Sequence, residues 1–359
     1  MQDKIVGVLK DLMSFKTYQG NKKDFDKLFN YVKDKYKSLF IKEYEFDGNK
    51  ALVLSNCDSK NFDYIFCCHV DVVPISNYDY REDEDNIYGR GAIDMKGSVA
   101  VCLEVMKNVK SKKKIALFLT SDEEVNGNCA YQLLKIYNGK FALIPDGGSN
   151  FDLIKEEKGL LQIEISIKTK SAHASQPFNG VNAIDELYKV YNEIIKIYPI
   201  PCSSNEYITS VNLSKINGGD KVNKVPDFCT MTLDIRYTSK NSKEEILENI
   251  KKINKNVNIK VIFENPIFKT DLNNIYVKNY LKVCENVLNR PVNIIGCEST
   301  SDAIFFSLKK IPTVIMNPDG YYAHCDKEYV NKKSLLTLYN IYKSFIEGSD
   351  NIWQLKTVI

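Results

Sequence analysis

The sequence predicts an α/β domain interrupted by a smaller inserted α+β domain, and three observations carry that prediction. Strand-like and helix-like segments alternate through the first 150 residues, the order changes near Gly159 to strand–helix–strand–strand–helix–strand, and the first pattern resumes after residue 265. Strand–helix alternation predicts a mainly parallel sheet covered by helices. In chain order, 63–68 (DYIFCC) reads as a buried strand, 98–109 as a helix, 115–120 (IALFLT) as a second strand, 129–137 as a helix and 141–144 as a short strand. Next, 160–168 (LLQIEISIK) alternates like a half-exposed strand, and 181–197 is a long amphipathic helix. Strands at 207–215 and 228–237, a helix at 243–253 and a strand at 259–263 complete a βαββαβ unit of ferredoxin-like type. A helix at 275–288, a strand at 312–316 and a helix at 333–346 return to the first domain. The expected divisions are therefore 1–158, 159–265 and 266–359.

Composition narrows the function classes. With 359 residues, 44% hydrophobic and 26% charged, the chain reads as globular rather than disordered. Lys+Arg 49 against Asp+Glu 46 leaves +3, and lysines are interspersed with acids, so no nucleic-acid or membrane footprint is expected. Arg81, Arg90, Arg236 and Arg290 are the only arginines, and His69, His173 and His324 the only histidines, so either residue type inside a motif carries weight. Asp3, Lys4, Lys10 and Asp11 stand where a signal peptide needs an apolar centre, and no apolar stretch approaches the roughly 20 residues of a membrane span. The ten cysteines are scattered, many inside apolar runs, with no CxxC pair. The expectation is a reduced, cytoplasmic protein without a cysteine-based zinc site.

Chemistry-bearing residues recur just after predicted strands. His69 and Asp71 follow DYIFCC, Glu123 and Glu124 follow IALFLTSD, Asp146 follows FALIP, and His324 follows PTVIMNP by a short loop. In open α/β sheets ligands bind outside the carboxyl ends of the strands, so these side chains can converge. Asp94 sits in GRGAIDMKG, a glycine-rich loop leading into a helix. Imidazole with carboxylate suits zinc, and carboxylate-rich sites also admit cobalt or manganese. Glu123 and Glu124 are adjacent and point in different directions, leaving one free to act as a base, while Asp71 is placed to orient the His69 ring. Each feature alone has a plainer reading: a structural histidine, a solvated acidic loop, a tight turn with a helix cap. The joint pattern of two scarce histidines and several acids at repeated strand ends favours a metal site. GRGAIDMKG is neither GxGxxG nor a P-loop, and there is no GxSxG elbow.

HVDVVP (69–74), GRGAIDMKG (89–97), TSDEE (120–124), PDGG (145–148), SAHASQPFNGVNA (171–183) and AHCDKEYV (323–330) together resemble the M20 metallopeptidases, in order and over nearly the whole chain. The resemblance implies a zinc-peptidase-like mixed sheet sandwiched by helices, with the insertion serving as a lid and dimerisation domain. It implies two Zn²⁺ per subunit: Asp94 bridging, His69 and Asp146 completing one site, Glu124 and His324 the other. Glu123 would be the general base and acid, and a cis peptide would follow Asp94. His173 would reach the active site of the second subunit of a homodimer. Asn223 and Arg236 in NKVPDFCTMTLDIRYT match positions that hold a substrate carboxylate, a task suited to a planar guanidinium. Thr300 and Ser301 resemble a loop lining the substrate end, with Ser299 in place of the usual glycine.

The implied reaction is amide hydrolysis. The aspartate of PDGG resembles dipeptidase and aminoacylase members, whereas the compact insertion resembles dimeric deacylases and carboxypeptidases. The first reading is a peptidase acting on short peptides with a free carboxylate. The second is an N-acyl-amino-acid deacylase of acetylornithine-deacetylase or succinyl-diaminopimelate-desuccinylase type. A third, of another class, is a non-catalytic member that binds metal and peptide.

Overall fold

A computed structural model describes residues 1–74, 79–125, 127–202 and 206–352. The chain forms two compact units, one of Met1–Lys155, Lys269–Ile295 and Ser301–Ile359, the other of Glu156–Phe268 and Gly296–Thr300. The second unit is thus three residues wider at each end than 159–265, and it also takes in a five-residue return segment too short to show a period in the sequence.

In the first unit, strands lie side by side in the order Phe40–Phe46, Asn49–Ser55, Ile115–Thr120, Asn61–His69, Asn138–Ile144, Thr313–Ile315 and Leu153–Glu157. Asn61–His69 runs parallel to Ile115–Thr120 on one side and to Asn138–Ile144 on the other, and Thr313–Ile315 continues the parallel block. All six residues of Ile115–Thr120 are buried, which is why that strand reads as an unbroken apolar run. Helices cover both of its faces. On one face Phe66, Cys68, Leu117, Leu119 and Leu143 pack with Leu9, Val101, Tyr280 and Tyr342 from four helices, Gln2–Ser14, Gly97–Asn108, Ile275–Leu288 and Lys332–Ile352. On the other, Phe118 meets Phe306 of the short helix Ala303–Leu308 and Tyr137. The consequence for function is positional: several parallel strands end on one edge, and their loops emerge together.

The second unit is a four-stranded antiparallel sheet in the order Ser210–Gly218, Phe228–Tyr237, Gly159–Lys168, Asn258–Asn265, with helices Ala183–Ile197 and Lys243–Ile253. Numbered by chain order the strands lie 2-3-1-4, the ferredoxin-like arrangement. Leu161, Ile163, Ile165 and Ile167 alternate inward and join Met231, Leu233, Leu187, Ile194, Ile246 and Ile250 in one core. Both helices start on side-chain caps. Asn182 accepts from the Ile184 amide at 2.9 Å, and Ser242 with Glu245 forms a reciprocal capping box.

Several elements lie outside the sequence expectations. The two N-terminal helices Gln2–Ser14 and Lys22–Lys35, the hairpin Phe40–Phe46/Asn49–Ser55, the strand Leu153–Glu157 and the helix Ala303–Leu308 were not anticipated. The hairpin turns at Asp47 and Gly48, both with positive φ, and Asp-Gly between apolar segments is the local signal for such a turn. The strand expected from 207 begins at Ser210. Tyr207 and Thr209 instead spend their polar groups on side-chain bonds, Tyr207 Oη to the Glu156 carbonyl at 3.1 Å and Thr209 Oγ1 to Asn241 at 2.8 Å.

Candidate metal centre

Every candidate ligand lies in the first unit, and all but Asp94 stand at or beyond the carboxyl ends of the parallel strands. His69 is the last residue of Asn61–His69 and pairs with Thr120, the last residue of its neighbour. Glu123 and Glu124 follow Thr120 within one turn, Asp146 follows Ile144 by two residues, and His324 follows the Thr313–Ile315 strand. Asp94 arrives from a different direction, on the tight loop before helix Gly97–Asn108. Gly91 makes that loop possible: its φ is +83°, and a Cβ there would stand 3.1 Å from both Lys96 Cδ and Val72 Cγ1.

These side chains converge. Asp94 presents Oδ1 to His69 Nε2 and Oδ2 to His324 Nε2, each at 3.1 Å. Asp146 Oδ2 lies 3.9 Å from His69 Nε2, and Glu124 Oε1 lies 3.1 Å from His324 Nε2. Two triads result, His69–Asp94–Asp146 and Asp94–Glu124–His324, each with its donor atoms within 4.8 Å of one another and with Asp94 common to both. Among the described residues no cysteine belongs to such a group, and all ten cysteines are free thiols. The far side of the His69 ring is fixed. Its Nδ1 lies 3.0 Å from the Asp71 backbone carbonyl, with the Asp71 carboxylate Oδ1 3.5 Å away. The carbonyl is the closer acceptor, so Asp71 orients the ring chiefly through its main chain. Its Oδ2 accepts from the Glu124 amide at 2.9 Å and so ties the two ligand loops together. The peptide bond between Asp94 and Met95 is cis.

The clustered charges shift one another strongly. Asp94 and Glu124 hold the His324 imidazole up to about 10. Burial works against protonation of His69, yet Asp71 and Asp94 beside it hold its pKa well above the ordinary value. Burial pushes the Asp146 carboxyl up, opposed by His69, and burial likewise pushes Glu123 well above the usual carboxylate range. Donors of this kind, two imidazole Nε2 atoms and three carboxylates facing one another with no lysine or arginine among them, fit a pair of divalent ions. Metal binding at such donors requires neutral imidazoles and ionised carboxylates, and so would release protons.

The loop that carries Asp94 has a buried anchor that sequence reasoning did not single out. Glu328, fully buried, accepts from the Ile93 and Asp94 amides at 3.1 and 3.2 Å through Oε1 and from Arg90 Nη1 at 2.6 Å through Oε2. Breaking such a buried pair by removing one partner costs about 3–5 kcal/mol, against about 0–1 kcal/mol for a surface pair. The sequence offered one signal, on the side of its ion-pair partner: Arg90, one of only four arginines, stands inside GRGAIDMKG.

The remaining expected residues fall elsewhere. His173, Asn223 and Arg236 are in the second unit. His173 pairs in register with Lys224, and the amide of Ala174 donates to the Asn223 carbonyl at 3.0 Å, so Asn223 adjoins the small two-stranded ladder that holds His173. The His173 ring is exposed, with Nδ1 2.8 Å from Ser175 Oγ. Arg236 donates from Nε to Asp234 Oδ1 at 2.8 Å, leaving its terminal guanidinium nitrogens outside that pair. Thr300 ends the return segment of the second unit, whereas Ser301 is buried in the first and accepts from the Ala303 amide at 3.3 Å, at the start of Ala303–Leu308.

No helix among the described residues is long and apolar enough to cross a membrane. Among curated proteins, the chain is 27% identical over 361 residues to a LysW-lysine/LysW-ornithine hydrolase of Saccharolobus solfataricus, covering 99% of this chain and 97% of that one. It is 27% identical over 358 residues to an acetylornithine deacetylase of Buchnera aphidicola, covering 91% of each. Among solved structures, a tripeptidase from Staphylococcus aureus shares the fold with a TM-score of 0.79 at 22% identity, over 98% of this chain and 99% of that one. Residues 65–348 match the family described as Peptidase family M20/M25/M40. That match spans most of the chain and contains every candidate metal ligand found above, and the protein therefore belongs to this family of amide-bond hydrolases.

Proposed function

We propose that this protein is a dinuclear-metal amide hydrolase that removes the acyl group from an N-acyl amino acid. The observation that carries the metal part is the sharing of one carboxylate, Asp94, between two histidine–acid triads. His69 and Asp146 would hold one ion, Glu124 and His324 the other, with zinc the best match to the donor set and cobalt or manganese admissible. When bound, such a pair supplies Lewis acidity that polarises a scissile carbonyl and makes water acidic near neutral pH. Glu123, outside both triads, takes the proton of the attacking water and delivers it to the leaving nitrogen. Asp71 keeps the His69 ring oriented with Nε2 toward the site. Arg236 and Asn223 receive the substrate's free carboxylate, and Thr300 and Ser301 line the substrate end.

Support for the N-acyl reading comes from the two relatives matched along nearly their full length, whose names describe hydrolysis of LysW-lysine or LysW-ornithine and deacetylation of acetylornithine. This reverses the order of the two substrates that the motifs alone suggested. Short peptides remain the second reading because Asp146, in PDGG, is the residue that resembles dipeptidase members. The test is a panel of N-acetyl and N-succinyl amino acids, including acylated lysine and ornithine, run against dipeptides and tripeptides on metal-loaded protein. The N-acyl diamino acids should show the highest kcat/KM; turnover confined to peptides would overturn the substrate assignment.

The chain is further proposed to act as a homodimer through the second unit, with His173 donating a hydrogen bond to the developing oxyanion in the second subunit's site. Loss of one such donor costs about 10²–10³ in kcat. Mixed dimers of His173→Ala and Glu123→Gln subunits, each nearly inactive alone, should regain activity through one intact composite site. No gain on mixing would remove His173 from that role.

A further inference from the structure

We propose that Glu328 is a positioning residue of the metal centre, clamping the loop of the shared ligand Asp94 to the loop of His324. The inference rests on the reading of the two triads as metal sites. Glu328 stands four residues after His324 on the same loop, and its single Oε1 gathers two consecutive amides of the other loop, those of Ile93 and Asp94. Its Oε2 takes the Arg90 guanidinium, and its backbone carbonyl takes the Gly89 amide at 3.0 Å. Immediately beyond it, Tyr329–Asn331 pairs with Asn86–Tyr88, the strand that leads into the Asp94 loop. The two ligand loops are therefore joined twice, by a short ladder and by this carboxylate.

The ladder alone cannot set the position of Asp94, because pairing ends at Tyr88 and the next five residues turn through Gly89 and Gly91, both with positive φ. Over those residues the amides of Ile93 and Asp94 have Glu328 as their acceptor. Fixing the Asp94 amide fixes where its carboxylate projects, and that carboxylate faces His69 with one oxygen and His324 with the other. Glu328 is sealed from solvent, so a shortened side chain would leave those buried donors without their charged acceptor. A charged acceptor with three side-chain-directed donors is also the strong kind of hydrogen-bond centre.

The test compares wild type with Glu328→Gln, Glu328→Asp and Glu328→Ala. Zn²⁺ and Co²⁺ affinities are measured by competition with a chromogenic chelator, and the melting temperature of each chelator-treated protein is recorded. Alanine and aspartate should weaken metal binding by about 10–100-fold, the usual loss on removing a residue that orients metal ligands. Glutamine keeps a carbonyl oxygen for the two amides and should recover most of that affinity. Lower melting temperatures with metal affinities equal to wild type would mean a purely structural role and would overturn the proposal. If the alanine variant does not fold, the aspartate and glutamine variants decide it, equal affinities of the two counting against. Failure of the wild type to bind either ion would instead sink the metal-site reading itself.

Discussion

Glu123→Gln should retain both metal ions and lose about 10²–10⁴-fold in kcat, the range expected when a positioned proton-transfer group is removed. The reasoning starts from position. Glu123 is adjacent to the candidate ligand Glu124 yet belongs to neither donor triad, so its loss removes no metal donor. It is half-buried, and burial pushes its carboxyl well above the usual range, a direction that brings a carboxylate closer to the proton affinity a general base needs near neutral pH. Glutamine preserves shape and cannot accept a proton. The loss should therefore appear equally in kcat and kcat/KM, as for an interaction made only in the transition state. Steady-state rates on metal-saturated protein, with metal content measured on the same sample, check the prediction; a kcat near wild type would exclude Glu123 as the base.

Asp94→Asn is the second large effect, and it should empty both sites at once. Among the described residues Asp94 is the side chain common to both triads, 3.1 Å from each histidine. An amide in its place offers one oxygen, and its nitrogen would face one of the two imidazoles. Asp146→Asn, by contrast, touches only the His69 triad and should cost one ion preferentially. Because Asp94 is a direct ligand in this account, its replacement should weaken binding by more than the roughly 10–100-fold lost with an outer-shell partner. Hydrolysis should fall to background at metal concentrations that saturate the wild type. Asp94→Asn protein that still binds two ions with wild-type affinity would break the shared-ligand picture.

The sequence carried the architecture wherever a strand was buried on both faces or alternated cleanly. IALFLT and DYIFCC are continuous apolar runs because helices cover both sides, and LLQIEISIK alternates because one side of the second unit's sheet packs on two helices. The candidate ligands were legible for a related reason: most of them stand at or after the ends of those strands, and histidine is rare in this chain. The strand Leu153–Glu157 lies among lysines and glutamates that mask its period. The hairpin at Asp47–Gly48 had a usable turn signal, but its first strand, FIKEYEF, has no buried position to mark it. Glu328 was hidden because its importance lies in what its carboxylate touches across 235 residues of sequence, a relation that spacing along one chain does not express. Asp71 shows the converse: the residue was identified, yet the closer contact to His69 is its backbone carbonyl, an atom every residue type would supply.

Metal titration of chelator-treated protein, with wild type and Asp94→Asn side by side, addresses the shared-carboxylate centre most directly. Wild type should take up two Zn²⁺ or Co²⁺ ions per chain, release protons as His69 and His324 become ligands, and regain hydrolysis in step with occupancy, while Asp94→Asn takes up neither tightly. Full hydrolysis by metal-free wild type, or identical two-ion binding by the variant, would contradict the account.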